Sequence, residues 1–140
     1  GIYFIFKSGV GKPYYIGKAT NFEKRLNTHK QAFSRIMSEA ELKRCTVRLG
    51  LISSFETTHM SDTFTSTQLG SIENFFITQL QPKGNGGNTK KRDTGKYPLI
   101  AINTGNLCTG MGKYMSQSND LLKALGKSTT KKRASSASWL

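Results

Sequence analysis

The chain has 140 residues, with 21 Lys and Arg against 8 Asp and Glu, a formal net charge of +13 and a pI near 10.0. Apolar residues at 36% and charged residues at 21% suit one soluble globular domain with a single core. No apolar run approaches the ~20 residues a membrane-spanning helix needs, and no basic n-region with a cleavage site opens the chain as a signal peptide would.

Residues 2–6 (IYFIF) and 14–16 (YYI) read as two β-strands. The segment KSGVGKP between them supplies Gly9, Gly11 and Pro13 for the turn of an antiparallel hairpin. Thr20 and Glu23 match a capping box, so a helix is expected to begin near Asn21. Phe22, Leu26, Phe33 and Ile36 give that helix its apolar stripe, and Arg25 and His29, four apart, share one of its faces. Residues 38–44 extend it or form a short second helix. Residues 45–53 (CTVRLGLIS) alternate and are rich in β-branched side chains, as in a third strand. Residues 54–66 are polar and read as a loop.

A second long helix follows, with Ser66 or Thr67 as its cap and Pro82 as its stop. Leu69, Ile72, Phe76 and Leu80 form its apolar stripe. Residues 83–98 are a Gly/Asn/Lys loop, 99–103 (LIAIN) a short strand, and 118–126 a small helix ending at Gly126. The order β-β-α-β-α predicts an α+β fold: a three-stranded antiparallel sheet flanked by helices, with a basic C-terminal extension. Residues 1–85 form the expected core. Residues 86–126 form a basic extension packed on or beside it, and 127–140 a disordered basic tail.

The charge is uneven. Residues 1–82 hold ten basic side chains against six acidic ones; residues 83–140 hold eleven against two. A surplus of this size favours a polyanionic partner, and nucleic acid fits best. No helix is basic on one face and strongly apolar on the other, so a membrane surface is not expected. Cys45 and Cys108 are too few and too far apart for a disulfide framework or a zinc site. They read as reduced thiols, which points to the cytoplasm, or to the nucleoid or nucleus for a nucleic-acid-binding protein.

Several side chains could carry chemistry. Glu73 is an acid inside an apolar helix, and segment 57–82 holds only one other acid, Asp62, in the polar loop. A surface helix glutamate is the plainer reading of such a residue. Tyr in a strand is most often half-buried packing, and Tyr14 is read that way. Arg25 is one of 21 basic residues, set apart by its place eight residues after Gly17 and four before His29. The loop KGNGGNTKKR could bind phosphate through its backbone N–H groups; a flexible turn explains it equally well.

Taken in order, Gly1-Ile2-Tyr3, then Tyr15-Ile16-Gly17, Lys18, Arg25, His29, Glu73 and Pro82-Lys83-Gly84-Asn85 resemble the GIY-YIG nuclease superfamily over residues 1–85. That resemblance implies a metal-dependent DNA endonuclease, a hydrolase of phosphodiester bonds that leaves 3′-hydroxyl and 5′-phosphate ends. It implies that Glu73 is the single ligand of a divalent metal. One carboxylate, with water and phosphate oxygens completing the shell, favours Mg²⁺ or Mn²⁺ over zinc. Tyr3 becomes a general base or water-positioning group, and Tyr15 orients water or phosphate. Arg25 becomes a phosphate clamp, and His29 a proton relay or phosphate ligand. Asn85 becomes a structural or phosphate-positioning group, with Asn88 as its rival. Lys18, Lys90, Lys91 and Arg92 are the expected nucleic-acid contacts. A free phenol titrates near ~10, so Tyr3 needs a nearby cation or base to work at neutral pH. The expected partner is DNA, with no small-molecule substrate. A catalytically inactive nucleic-acid-binding module on the same fold is the alternative. Oligomeric state does not follow from the sequence.

Overall fold

The computed structural model describes residues 1–52, 66–86, 92–95, 99–103 and 114–116, with the single positions 123 and 126. The expected small helix at 118–126 and the tail at 127–140 lie outside the described residues, apart from those two positions.

Strands β1 (Ile2–Phe6), β2 (Tyr15–Lys18) and β3 (Thr46–Gly50) form one antiparallel sheet in the order β2-β1-β3. Tyr3 pairs with Gly17 on one side and Leu49 on the other. Phe4 lies between Ile16 and Arg48. Helix α1 (Phe22–Phe33) and the short α2 (Glu39–Lys43) connect β2 to β3, and α3 (Ser66–Leu80) follows. This is the predicted α+β arrangement.

Side chains alternate across a strand, so β1 feeds two cores. Ile2, Phe4 and Phe6 join Ile16 of β2 and Leu69, Phe75, Phe76 and Ile77 of α3. Tyr3 and Ile5 face the other way, toward Ala19, Phe33 and Met37, with Phe22 and Leu26 of α1 packed alongside. The sheet is thus held between α1 and α3, which is why all five β1 residues are buried. Phe4 and Phe75 are wholly inaccessible; burying each such side chain contributes roughly 1.5–3 kcal/mol. Strand β4 (Ile100–Ile102) pairs with β5 (Tyr114–Ser116), and Leu99, Ala101 and Met115 pack on the α3 side of the core.

Four local expectations change. The cap of α1 is Asn21, not Thr20: its Oδ1 accepts the Lys24 N–H at 2.9 Å. The capping box belongs to α2, where Ser38 and Glu41 satisfy each other's backbone N–H groups. Helix α1 ends at Phe33, because the chain tightens there and both Ile36 and Met37 donate to the Phe33 carbonyl. That turn rotates the phase, so Ile36 is 65% exposed and Met37 fills the core instead. The third strand stops at Gly50, and Leu51 is exposed.

Candidate active site

The first hairpin is built around close approaches that only glycine allows. Tyr3 stands opposite Gly17, and its ring packs against the glycine. A Cβ at Gly17 would sit 2.7 Å from Tyr3 Cε1, with Cζ and the hydroxyl nearer still. A Cβ at Gly1 would meet the Phe22 ring and the Gly50 carbonyl, the latter at 2.6 Å. The glycines of both triplets therefore make room for the side chains that build the site.

Tyr3, Tyr15 and His29 cluster over the α1 face of the sheet. The Tyr3 and Tyr15 rings are stacked with centroids 6.2 Å apart. The His29 ring lies 5.7 Å from Tyr3 and 5.0 Å from Tyr15. Phe33, one helical turn beyond His29, closes the group at 5.3 Å from Tyr15 and 5.5 Å from His29. His29 Nε2 is buried there without a hydrogen-bond partner, and the Tyr3 hydroxyl is buried beside Arg25 and Tyr15. A buried polar atom without a partner is costly.

Burial pushes the Tyr3 hydroxyl well above the ordinary phenol range; the nearby Tyr15 adds to the rise and Arg25 opposes it. Tyr15 is raised as well, first by burial and then by the negative charge of Glu73. Both are neutral phenols at pH 7. His29 is lowered from 6.5 by burial and by Arg25, so its imidazole is neutral at pH 7 and able to accept a proton. Arg25, one turn before His29, is the exposed member of the group.

Glu73 reaches the cluster from the opposite helix by way of the sheet edge. Strand β2 is that edge, and its outward amides need partners. Glu73 Oε1 accepts the Lys18 N–H at 3.0 Å. Asn85 spans Ile16 as a further strand would, its Oδ1 accepting the Ile16 N–H and its Nδ2 donating to the Ile16 carbonyl, both at 2.8 Å. Asn85 stands in a 3₁₀ turn, Lys83–Asn85, docked where the Gly84 N–H meets the Tyr14 carbonyl at 2.8 Å. Burial raises the Glu73 carboxyl; Lys18 opposes this through its charge and its N–H, and Arg25 and Arg92 oppose it through charge. The Lys18 ammonium lies over Gly70, where a Cβ would come within 2.9 Å of Nζ.

The fold thus brings Tyr3, Tyr15, Lys18, Arg25, His29, Glu73, Asn85 and Arg92 around β2. Lys90 and Lys91 lie outside the described residues, as does Asn88. Tyr14 is packing, half-buried with Phe33 at 6.3 Å and the Lys7 ammonium 4.3 Å over its ring. Phe22 and Phe33 stand out in the sequence only as core. They also wall the phenols, with Phe22 edge-on to Tyr3 at 6.4 Å.

Among the described residues no three His, Cys, Asp or Glu side chains converge as a metal cage. A lone, half-buried carboxylate fits a hard cation that keeps most of its shell as water and phosphate oxygen, and does not fit structural zinc. Among the described residues no helix is long and apolar enough to cross a membrane.

Comparison with known families matches residues 1–91 to the GIY-YIG catalytic domain, well over half of the chain. The chain belongs to the GIY-YIG family, whose members are nucleases that act on DNA and are generally dependent on divalent metals. No curated protein and no solved structure matches it.

Proposed function

We propose that this GIY-YIG chain is a metal-dependent DNA endonuclease that hydrolyses one phosphodiester per domain and leaves 3′-hydroxyl and 5′-phosphate ends. The supporting observation is the convergence on one sheet edge of a half-buried carboxylate, two neutral phenols and a neutral imidazole, with an exposed guanidinium alongside.

Glu73 would hold the metal ion, Mg²⁺ or Mn²⁺, which when bound supplies positive charge to the phosphate and the leaving oxygen. Arg25 offers a planar fork to the non-bridging phosphate oxygens, a shape that lysine lacks. Its position at the rim lets it meet substrate, while burial, helped by its charge, keeps His29 neutral. Tyr3 is too weak an acid to wait as a phenolate. In the substrate complex the Tyr3 hydroxyl and His29 Nε2, not bonded to each other here, would close to hydrogen-bonding distance, so that Tyr3 takes a proton from the attacking water as it passes its own hydroxyl proton to His29, which becomes imidazolium. The water oxygen bonds to phosphorus as the P–O3′ bond breaks, and the departing 3′ oxygen takes a proton from solvent to become the 3′-hydroxyl. Tyr15 fixes the water or phosphate beside Tyr3, and Phe33 and Phe22 exclude bulk water from the relay. The +13 charge draws the polyanion in.

The test is nicking of supercoiled plasmid by wild type and Glu73→Ala, with Mg²⁺ and with chelator. Metal-dependent nicks that a DNA ligase reseals, absent from Glu73→Ala although it still binds DNA, are expected. Wild type that binds every DNA form and cuts none would favour the binding module.

A further inference from the structure

The sequence groups Arg92 with the lysines that hold the DNA backbone, but its side chain turns inward. It is half-buried, and its Nη2 donates to the Asn85 carbonyl. Its Nε is buried without a partner. The backbone around it is tied to α3 on both sides of Glu73. The Asp93 carbonyl accepts Asn74 Nδ2 at 2.7 Å. Gly95, with φ +92, presses on Ser71, where a Cβ would lie 3.0 Å from Oγ. Asp93 Oδ1 accepts the Gly95 N–H at 2.8 Å and stiffens the turn. Arg92 is also the first residue past the family match, which ends at 91.

We propose that Arg92 is a positioning residue of this site: it holds the Asn85 carbonyl, and thereby the amide that brackets Ile16 and fixes the edge strand bearing Tyr15 and Lys18. The chain of contacts is short. Residues 92–95 are anchored on α3 beside Glu73, Arg92 reaches from that anchor to Asn85, and Asn85 makes two hydrogen bonds to Ile16. The guanidinium therefore ties the Glu73 helix to β2 by a route independent of Glu73. Its charge partly offsets the burial-driven rise at both Glu73 and Tyr15, which agrees with its place beside them. A guanidinium committed to a carbonyl is not a free phosphate ligand, so Arg92 parts company with Lys90 and Lys91.

The catalytic half of this inference rests on the nuclease reading; the structural half does not, and the experiment separates them. Arg92→Met keeps the aliphatic stem and removes every donor, whereas Arg92→Lys returns a cationic N–H donor group. Amide hydrogen exchange is followed by NMR in the full chain, together with the melting curve, nicking kinetics and the salt dependence of DNA affinity. In Arg92→Met the Ile16 amide is expected to exchange about tenfold faster while the β1 amides keep their protection, and Arg92→Lys recovers part of it. The kcat falls about 10-fold to 100-fold with KM unchanged, as when a partner that orients an active-site group is removed. The salt slope is unchanged, and the double variant with Asn85→Ala is no slower than Asn85→Ala alone. Wild-type exchange at Ile16 in Arg92→Met overturns the proposal. So does a salt slope flatter by about one unit with additive rate effects, which marks direct binding of a phosphate. If wild type cuts no DNA, the nuclease reading fails, and the exchange at Ile16 alone decides the role of Arg92.

Discussion

Adding a single methyl group at Gly17 should disable the site without replacing any group that does chemistry. Gly17→Ala places a carbon 2.7 Å from Tyr3 Cε1 and nearer still to the phenol end of the ring. Ordinary carbon contacts are about 3.5–4.0 Å, so the ring must retreat by about 1 Å. It has nowhere to go, because Tyr3 is 0% exposed and is flanked by Tyr15, Phe22 and His29. Overpacking of this kind costs about 1–3 kcal/mol. A displacement of about 1 Å at a reacting group can lower the rate roughly 100-fold. Thermal melting and plasmid nicking in Mg²⁺ read the two effects on one preparation. The expected result is a folded protein with a lowered melting temperature, normal DNA binding and nicking reduced roughly 100-fold. Wild-type melting and nicking in Gly17→Ala would show that the Tyr3 ring does not lie on Gly17, and the packing argument would fail.

Other expectations follow from the same geometry. Nicking should fall as pH drops through the depressed His29 value, below 6.5, because the imidazolium cannot accept a proton; His29→Gln should abolish that acid limb and slow cutting by roughly 100-fold to 10,000-fold. The same lowered value means the unfolded chain binds the proton more tightly, so the His29 contribution to stability declines as pH falls through 6.5 toward the folded value; a melting series over pH 5 to 8 on wild type and His29→Gln measures the difference. Asn85→Ala leaves the Ile16 N–H and carbonyl unpaired at a half-buried edge, which should cost about 1–3 kcal/mol in urea denaturation. Neutralising Lys90 and Lys91 should weaken DNA binding evenly across sequences and flatten its salt dependence by about one unit for each phosphate that the wild-type side chains neutralise; an unchanged slope would remove them from the interface.

The three-stranded sheet and the two long helices can be read from the sequence because local signals agree there. IYFIF and YYIG are apolar and β-rich on either side of a glycine turn, and Phe22, Leu26 and Phe33 keep a helical period. Tyr3, Tyr15, Arg25, His29 and Glu73 are then picked out only by their resemblance, in order, to the GIY-YIG family. What local pattern cannot convey is contact across the chain. Thr20 and Asn21 are both good caps, and the choice falls to Asn21, whose Oδ1 meets the Lys24 N–H. Ile36 fits the α1 stripe on paper, but the turn at Phe33 hands its place to Met37. Phe75 and Ile77 lie off the predicted stripe, yet both are buried because α3 is covered by the sheet on one side and by Leu99, Ala101 and Met115 on another. The three-residue β5 carries too little pattern to be seen alone. Arg92 looks like one more basic loop residue, since its inward turn depends on Asn74 and Asn85, 18 and 7 positions earlier in the chain.

The central claim is that Glu73 supplies the carboxylate on which cutting depends, and Glu73→Gln tests it most directly. The amide keeps an oxygen for the Lys18 N–H and removes only the negative charge, so fold and affinity are preserved. Single-turnover cleavage of duplex DNA at saturating Mg²⁺ should then be slower by at least about 100-fold, with the melting temperature and DNA affinity of wild type. Cleavage by Glu73→Gln at the wild-type rate would contradict the account and leave Glu73 as no more than the cover of a strand edge.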